Sequence, residues 1–330
     1  MGNADLLEQL RRLGVSRGAR EVQPRRRRRG AAIEDLISGE VILTGHGPFF
    51  LHREGYKAGF RHGTHALSDL LAHPAERAAR LARDERLAGV DFRRVAFVDT
   101  ETTGLAGGTG TYAFLVGVGV FEDEQFTIHQ FFMRDFDEEP AQLHALGQLF
   151  DRLEAVVSFN GKSFDMPLLE TRFIMVRQPP RLTGAPHLDL LPPARRFWKY
   201  RLDSCALSSL EAEILGVRRT QADVPGWLIP SLYVDYARSG DAREMPRIFY
   251  HNAQDILSLV TLAARMCELL APDVARGQAP DGARGCAPGE DLYGLGRLLQ
   301  DLGEVEGAEA AFLQAARTCR DPTIRGLAMR

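Results

Sequence analysis

Four cysteines in 330 residues, Cys205, Cys267, Cys286 and Cys319, lie far apart and never at C-x-x-C spacing. That scarcity argues against a structural zinc site or a disulfide framework and for reduced, mostly buried thiols. Long apolar runs are missing too: the longest, AFLVGVGV, is far short of the ~20 residues that a membrane-spanning helix needs. "MGNADLLEQL" has no signal-peptide core, and Leu6 stands where a myristoylation motif wants Ser or Thr. The expectation is a cytoplasmic protein with no membrane attachment. Net charge is small at −3, but residues 1–94 hold 18 Lys/Arg against 12 Asp/Glu and the remainder 23 against 32, so a basic leader precedes an acidic body. Hydrophobic residues make up 45% of the chain, enough for a sizeable core.

The leader, residues 1–94, opens with Leu6, Leu7, Leu10 and Leu13 at helical spacing, then "QPRRRRRG", an Arg-rich tether able to meet phosphates. "GEVILTGHGPFFLHREG" reads as a small hairpin and "PAERAARLARDERL" as a helix. From Val95 the pattern changes to strands at 95–101, 112–121, 126–133 and 155–159, helices at 138–153 and 165–176, a short strand at "HLDL", and mainly helix to about residue 270. Three early strands joined by tight turns, then strands separated by helices, predict an α/β domain over 95–270 with a mixed sheet flanked by helices. "GLAGGTGTYAFLVG" opens into a strand rather than a helix, so it reads as a hairpin connection and not as a phosphate loop.

Residues 271–291 have the Ala, Pro, Gly and charge content of a linker. Beyond it, 292–330 form a predicted helical hairpin that matches the tetratricopeptide pattern at Leu295, Gly296, Gly303, Ala308, Phe312 and Ala315. The linker composition argues for a unit standing apart from the α/β domain, dispensable for whatever that domain does and available to a protein partner.

Asp99 and Glu101 end the apolar run "VAFVDTETTGL". Residues i and i+2 of a strand share a face, so the two carboxylates project together, and like charges that close call for a cation, a shared proton or open water. Asp165 follows the apolar "VVSFNG" at the predicted start of a helix. Asp255 lies on the long amphipathic "FYHNAQDILSLVTLAARM", with His251 four residues earlier on the same helical face.

These residues carry a resemblance. Asp99-Thr-Glu101-Thr-Thr-Gly-Leu105 resembles the first motif of the DnaQ-like, or DEDD, 3′→5′ exonucleases of the ribonuclease H-like superfamily. "NGKSFD", Asn160 to Asp165, is similar to their second motif, and "LSSLEAEILG" to the helix that usually precedes the third. With "HLDLLPPARRFW", "DVPGWLIPSLY" and "FYHNAQDILSL", the likeness is to the YprB-like group of predicted bacterial exonucleases, which often carry tetratricopeptide repeats. It implies a ribonuclease H-like fold over about residues 95–268 and a nucleic-acid substrate, DNA or RNA. It also implies Asp99, Glu101, Asp165 and Asp255 as ligands of two Mg²⁺ or Mn²⁺ ions, hard cations suited to an all-carboxylate set.

In that family the histidine subtype has His five residues before the last Asp and the tyrosine subtype has Tyr four before. Here Tyr250 and His251 are reversed. Four residues turn about 400° and return His251 to the Asp255 face, whereas five overshoot by about 140°, so His251 is the expected general base and Tyr250 is expected to pack. The resemblance places Thr103, Leu105 and Asn160 at the substrate, Leu105 as the residue that wedges terminal nucleotides apart; Lys162 is a candidate phosphate contact. Asp189 and Asp223 receive no role, and Trp227 is expected to be buried. Two other readings stay open: a catalytically weak binding or scaffold module of the same fold, and a structure-specific endonuclease.

Overall fold

The computed structural model describes residues 30–104, 110–278 and 287–329. The expected helix at residues 4–13, the Arg-rich tether, Leu105 and Cys286 lie outside them. Seven strands form one sheet: β1 (Glu40–Thr44), β2 (Gly47–Lys57), β5 (Val95–Thr102), β6 (Ala113–Glu122), β7 (Gln125–Phe132), β8 (Ala155–Ser158) and β9 (His187–Asp189), while β3 (Arg61–His62) and β4 (His65–Ala66) pair separately. The order is β1-β2-β7-β6-β5-β8-β9. Pairing is antiparallel from β1 to β5 and parallel from β5 to β9, so β5 is the strand at which the sheet changes sense.

Helices of seven residues or more are α1 (Ala75–Ala82), α2 (Glu139–Phe150), α3 (Asp165–Met175), α4 (Leu191–Trp198), α5 (Ile229–Ser239), α6 (Met245–Leu269), α7 (Gly289–Asp301), α8 (Val305–Thr318) and α9 (Pro322–Ala328). Side-chain alternation in β5 divides them between the two faces. Ala96 and Val98 pack with Val116, Val118, Leu146 and Phe173 on the side of α2 and α3. Val95 and Phe97 pack with Phe126, Val157, Ile256 and Val260 on the side of α6. Asp99 and Glu101 continue this second series, so they emerge toward α6.

Glycine brings α6 close to the sheet. Gly117 faces Asp99 across the β5–β6 pair, and a Cβ there would sit 2.2 Å from Asn252 Oδ1 and 2.4 Å from Ile256 Cδ1. A Cβ at Gly119 would lie 2.6 Å from Ile256 Cγ2. The alternating small residues of "VGVGV" thus form the bed of the helix.

Two features differ from the sequence expectation. The leader hairpin is part of the main sheet, because β2 pairs with β7 over eight residues, Phe50–Lys57 with Gln125–Phe132. The C-terminal helices do not stand apart either. Leu292, Leu295, Leu298 and Leu299 of α7 belong to the same buried cluster as Phe197 and Trp198 of α4 and Leu262 of α6. Gly294 makes the approach: a Cβ there would meet Phe197 O at 2.2 Å. Asp291, fully buried, accepts from Arg201 at 2.8 Å, and Arg80 forms two bonds to Glu304 at 3.0 and 2.7 Å. The composition of 271–291 said nothing of where the following helix docks. Pro272–Ala275 is a helical turn with Val274 and Ala275 buried and α7 begins at Gly289, while residues 279–286 of the expected linker lie outside the described ones. Among the described residues no helix is long and apolar enough to cross a membrane.

Candidate active site

At the end of β5, Asp99 is held by Asn252, whose Nδ2 donates to Asp99 Oδ2 at 2.8 Å and to Asp99 O at 3.2 Å. Asn252 is itself fully buried and accepts from Gln130 Nε2 of β7 at 2.8 Å, while Gln130 also donates to Phe249 O at 2.8 Å. This network ties α6 to β5 and β7 directly beneath the site. Glu101 is buried, and its Oε1 has no hydrogen-bond partner among the described residues. Burial, then the Asp255 and Asp165 charges, holds the Asp99 carboxyl well above its ordinary range. Burial and then Asp99 do the same for Glu101.

Asp165 is the first residue of α3. Burial raises its pKa to about 6, and a hydrogen bond from Thr100 Oγ1 works in the opposite direction. The helix is anchored by a buried ion pair, Arg172 to Glu139 of α2 at 2.5 and 2.6 Å, and the Arg172 guanidinium lies 3.9 Å over the Tyr112 ring. The preceding loop is shaped by Asp189, whose carboxylate accepts from the backbone N–H groups of Asn160 (2.8 Å), Lys162 (3.2 Å) and Leu191 (3.0 Å). Asn160 takes a left-handed φ of 65° there, a conformation that asparagine tolerates better than most residues. Asp189 therefore has a definite structural task that the sequence did not disclose.

The helix side is more crowded. His251 and Asp255 share one face of α6, with Nε2 3.6 Å from Asp255 Oδ2. His251 Nδ1 lies 2.8 Å from Asp223 Oδ1 and 3.1 Å from Arg219 Nη1. Arg219 binds both oxygens of Glu211 at 2.8 and 2.6 Å and also donates to Asp255 Oδ1. Glu211 opens a π-helical turn, Glu211–Leu215, and accepts from Ser258 Oγ at 2.6 Å. Tyr250 points elsewhere, its hydroxyl accepting from the Thr220 N–H at 3.2 Å.

Asp99, Glu101, Asp165, His251 and Asp255 thus gather at the end of β5 and the facing stretch of α6 and α3. Thr103 is a neighbour in sequence, but its Oγ1 accepts from the Tyr112 N–H at 3.0 Å. Asn160 and Lys162 are exposed on the loop before α3. Trp227, expected inside, is 73% exposed, and the neighbouring Gly226 lies against the site, since a Cβ there would be 3.8 Å from His251 Nε2. Sequence reasoning missed Asn252, Arg219, Glu211 and the pairing of Asp223 with His251. Only Asn252 left a trace, as a polar residue in the series Ile248, Asn252, Ile256 that marks the buried stripe of α6.

Among the described residues no three His, Cys, Asp or Glu side chains are drawn together as a ready-made metal cage. The donor set nevertheless fits a hard divalent cation: buried carboxylates raise one another's pKa, and Glu101 Oε1 is buried without a partner.

A family model for the RNase_H superfamily matches residues 96–267. Among curated proteins, the uncharacterized protein YprB of Bacillus subtilis (strain 168) is 34% identical over 218 residues, which cover 64% of this chain and 51% of that one. The matched region is therefore about half the length of that relative. Among solved structures, the family B DNA polymerase of the hyperthermophilic archaeon Pyrobaculum calidifontis aligns over 68% of this chain and 29% of its own, at 16% identity and a TM-score of 0.40.

Proposed function

This chain belongs to the RNase H superfamily, and from that premise we propose that it is a divalent-metal-dependent 3′→5′ exonuclease of the DEDD type acting on DNA or RNA. The observation that carries the reading is the gathering of Asp99, Glu101 and Asp165 opposite Asp255 and His251, with the carboxylates close enough to act on one another's charge. In this reading Asp99, Glu101, Asp165 and Asp255 hold two Mg²⁺ or Mn²⁺ ions. When bound, such ions supply the positive charge that neutralises the scissile phosphate and acidify an attacking water.

The chain's own residues do the rest. Asn252 fixes the rotamer of Asp99. In this reading His251 Nδ1–H donates to Asp223, which leaves Nε2 to accept a proton from water beside Asp255, the task of a general base. Lys162 and Asn160, exposed before α3, contact phosphates, and Thr103 and Leu105 the terminal nucleotides. The α7–α8 pair, in which we read one tetratricopeptide unit, offers exposed Val305 and Leu313 to a protein partner.

One observation favours a second reading, a binding module with weak catalysis: Asp255 is already engaged by Arg219. Matched 5′-labelled DNA and RNA oligomers, incubated with Mg²⁺ or Mn²⁺, separate the two. The exonuclease reading expects a ladder shortening from the 3′ end, abolished in Asp99→Ala and Asp255→Ala. Binding without shortening leaves the module, and a single internal cut indicates an endonuclease.

A further inference from the structure

Arg219 reaches the site from the segment that follows the π-helical turn, and its side chain is only 12% exposed. Its attachment is lopsided. Nε and Nη2 form a fork on Glu211 at 2.8 and 2.6 Å, and Glu211 is locked in turn by Ser258, whose Oγ lies 2.8 Å from His62 Nε2. Asp255 receives only Nη2, a nitrogen already committed to Glu211. The planar guanidinium can therefore stay on its two-bond anchor while Asp255 leaves it.

The charges explain why such an arrangement is useful. Asp99, Glu101 and Asp165 face Asp255 across the site, and without a positive partner the last of these would add to a set whose members already raise one another's pKa. A tethered guanidinium next to a metal-ligand carboxylate balances that charge when no dication is present and opposes the dication when one arrives.

We propose that Arg219 is an internal counter-ion for Asp255, which is passed from the guanidinium to the metal on loading, so that Arg219 sets the metal affinity of the site. The inference rests on the reading of Asp255 as a metal ligand. It makes Arg219 a positioning residue, touching Asp255 and the Nδ1 edge of His251 and not the scissile phosphate. Its fixed seat on Glu211 gives the π-helical turn a purpose, as a rigid base for the guanidinium.

The test is calorimetric titration of Mn²⁺ into metal-stripped wild type, Arg219→Gln and Arg219→Lys, with melts of each protein in chelator. Removing one unit of like charge beside a dication should tighten Mn²⁺ binding of Arg219→Gln by about tenfold, while its metal-free melt falls below wild type. Equal or weaker Mn²⁺ binding by Arg219→Gln, with wild type binding normally, overturns the exchange and leaves Arg219 a plain structural tie. Should Arg219→Gln fail to fold, Arg219→Lys carries the test, because a single ammonium cannot keep the Glu211 fork and Asp255 together: tighter binding supports the exchange, and unchanged affinity overturns it. Absence of Mn²⁺ binding in all three proteins removes the nuclease reading along with the exchange, an outcome distinct from the failure of the exchange alone.

Discussion

Asp165 is a carboxylate asked to be charged in a place that resists charge. Its folded pKa of about 6 stands above the ordinary value of 3.8, first because of burial. Between those values the folded chain keeps a proton that the unfolded chain has released. The resulting stability is present below about pH 4 and is lost as pH rises through 6, to the extent of about 2 to 3 kcal/mol. In chelator, Asp165→Asn, which keeps an acceptor for Thr100, should therefore melt above wild type at pH 7, with the gap closing toward pH 4. A gap that is constant with pH would show that Asp165 is not the titrating group. Burial pushes His62 and His187 down to about 4 each, which acts in the opposite sense between pH 4 and 6.5. Both proteins share those histidines, so the effect cancels in the difference. At this scale the sequence exposed residues whose spacing alone carries meaning, Asp99 with Glu101 at i and i+2, His251 with Asp255 at i and i+4. It was silent on Arg219 and Asp223, whose meaning lies in partners 36 and 28 residues away.

Among the elements, α7 and α8 depart furthest from expectation. Periodicity placed both helices, and it cannot say which neighbour receives their apolar stripe. The stripe is received by α4 through the glycine contact at Phe197, with Tyr293 against Tyr200 at 5.1 Å and Arg83 and Arg196 both on Asp301. Truncation after Leu270 should thus uncover Phe197 and Trp198 and lower the melting temperature by roughly 10 °C or more, given 1.5–3 kcal/mol per large buried side chain. A truncated chain melting within about 2 °C of the full chain would show that the helices only rest on the surface. The leader hairpin teaches the same lesson. Alternation identified two strands, but their membership of the main sheet depends on a register with β7 that lies some 75 residues away in sequence.

Under the exonuclease reading, the question for the whole molecule is how an acidic body attracts a polyanion. Residues 1–29 carry nine arginines, and the chain without them is markedly more negative. Phosphate contacts made by arginine release counterions and give binding a steep salt dependence. Removing residues 1–29 should weaken oligonucleotide binding at low salt and flatten the plot of log affinity against log salt, measured by fluorescence anisotropy in chelator. An unchanged slope would place the phosphate contacts in the body, at Lys162 and its neighbours. The overall architecture was the most legible property of this sequence, since strand and helix periods are local and their alternation restricts the fold to few layer arrangements.

Asn252 has one further consequence, for motion. It fastens α6 to β5 and, through Gln130, to β7, within one helical turn of both His251 and Asp255. The helix-borne and strand-borne halves of the site are thereby riveted at a fixed separation, with Gly117 leaving no slack between them. The segment carrying Arg219, Asp223 and Trp227 is held to that helix as well, by fully buried Val224 in the cluster of Ile248 and Phe249 and by Arg247 Nη2 donating to Asp223 O at 2.8 Å, so both halves of the site are braced on α6.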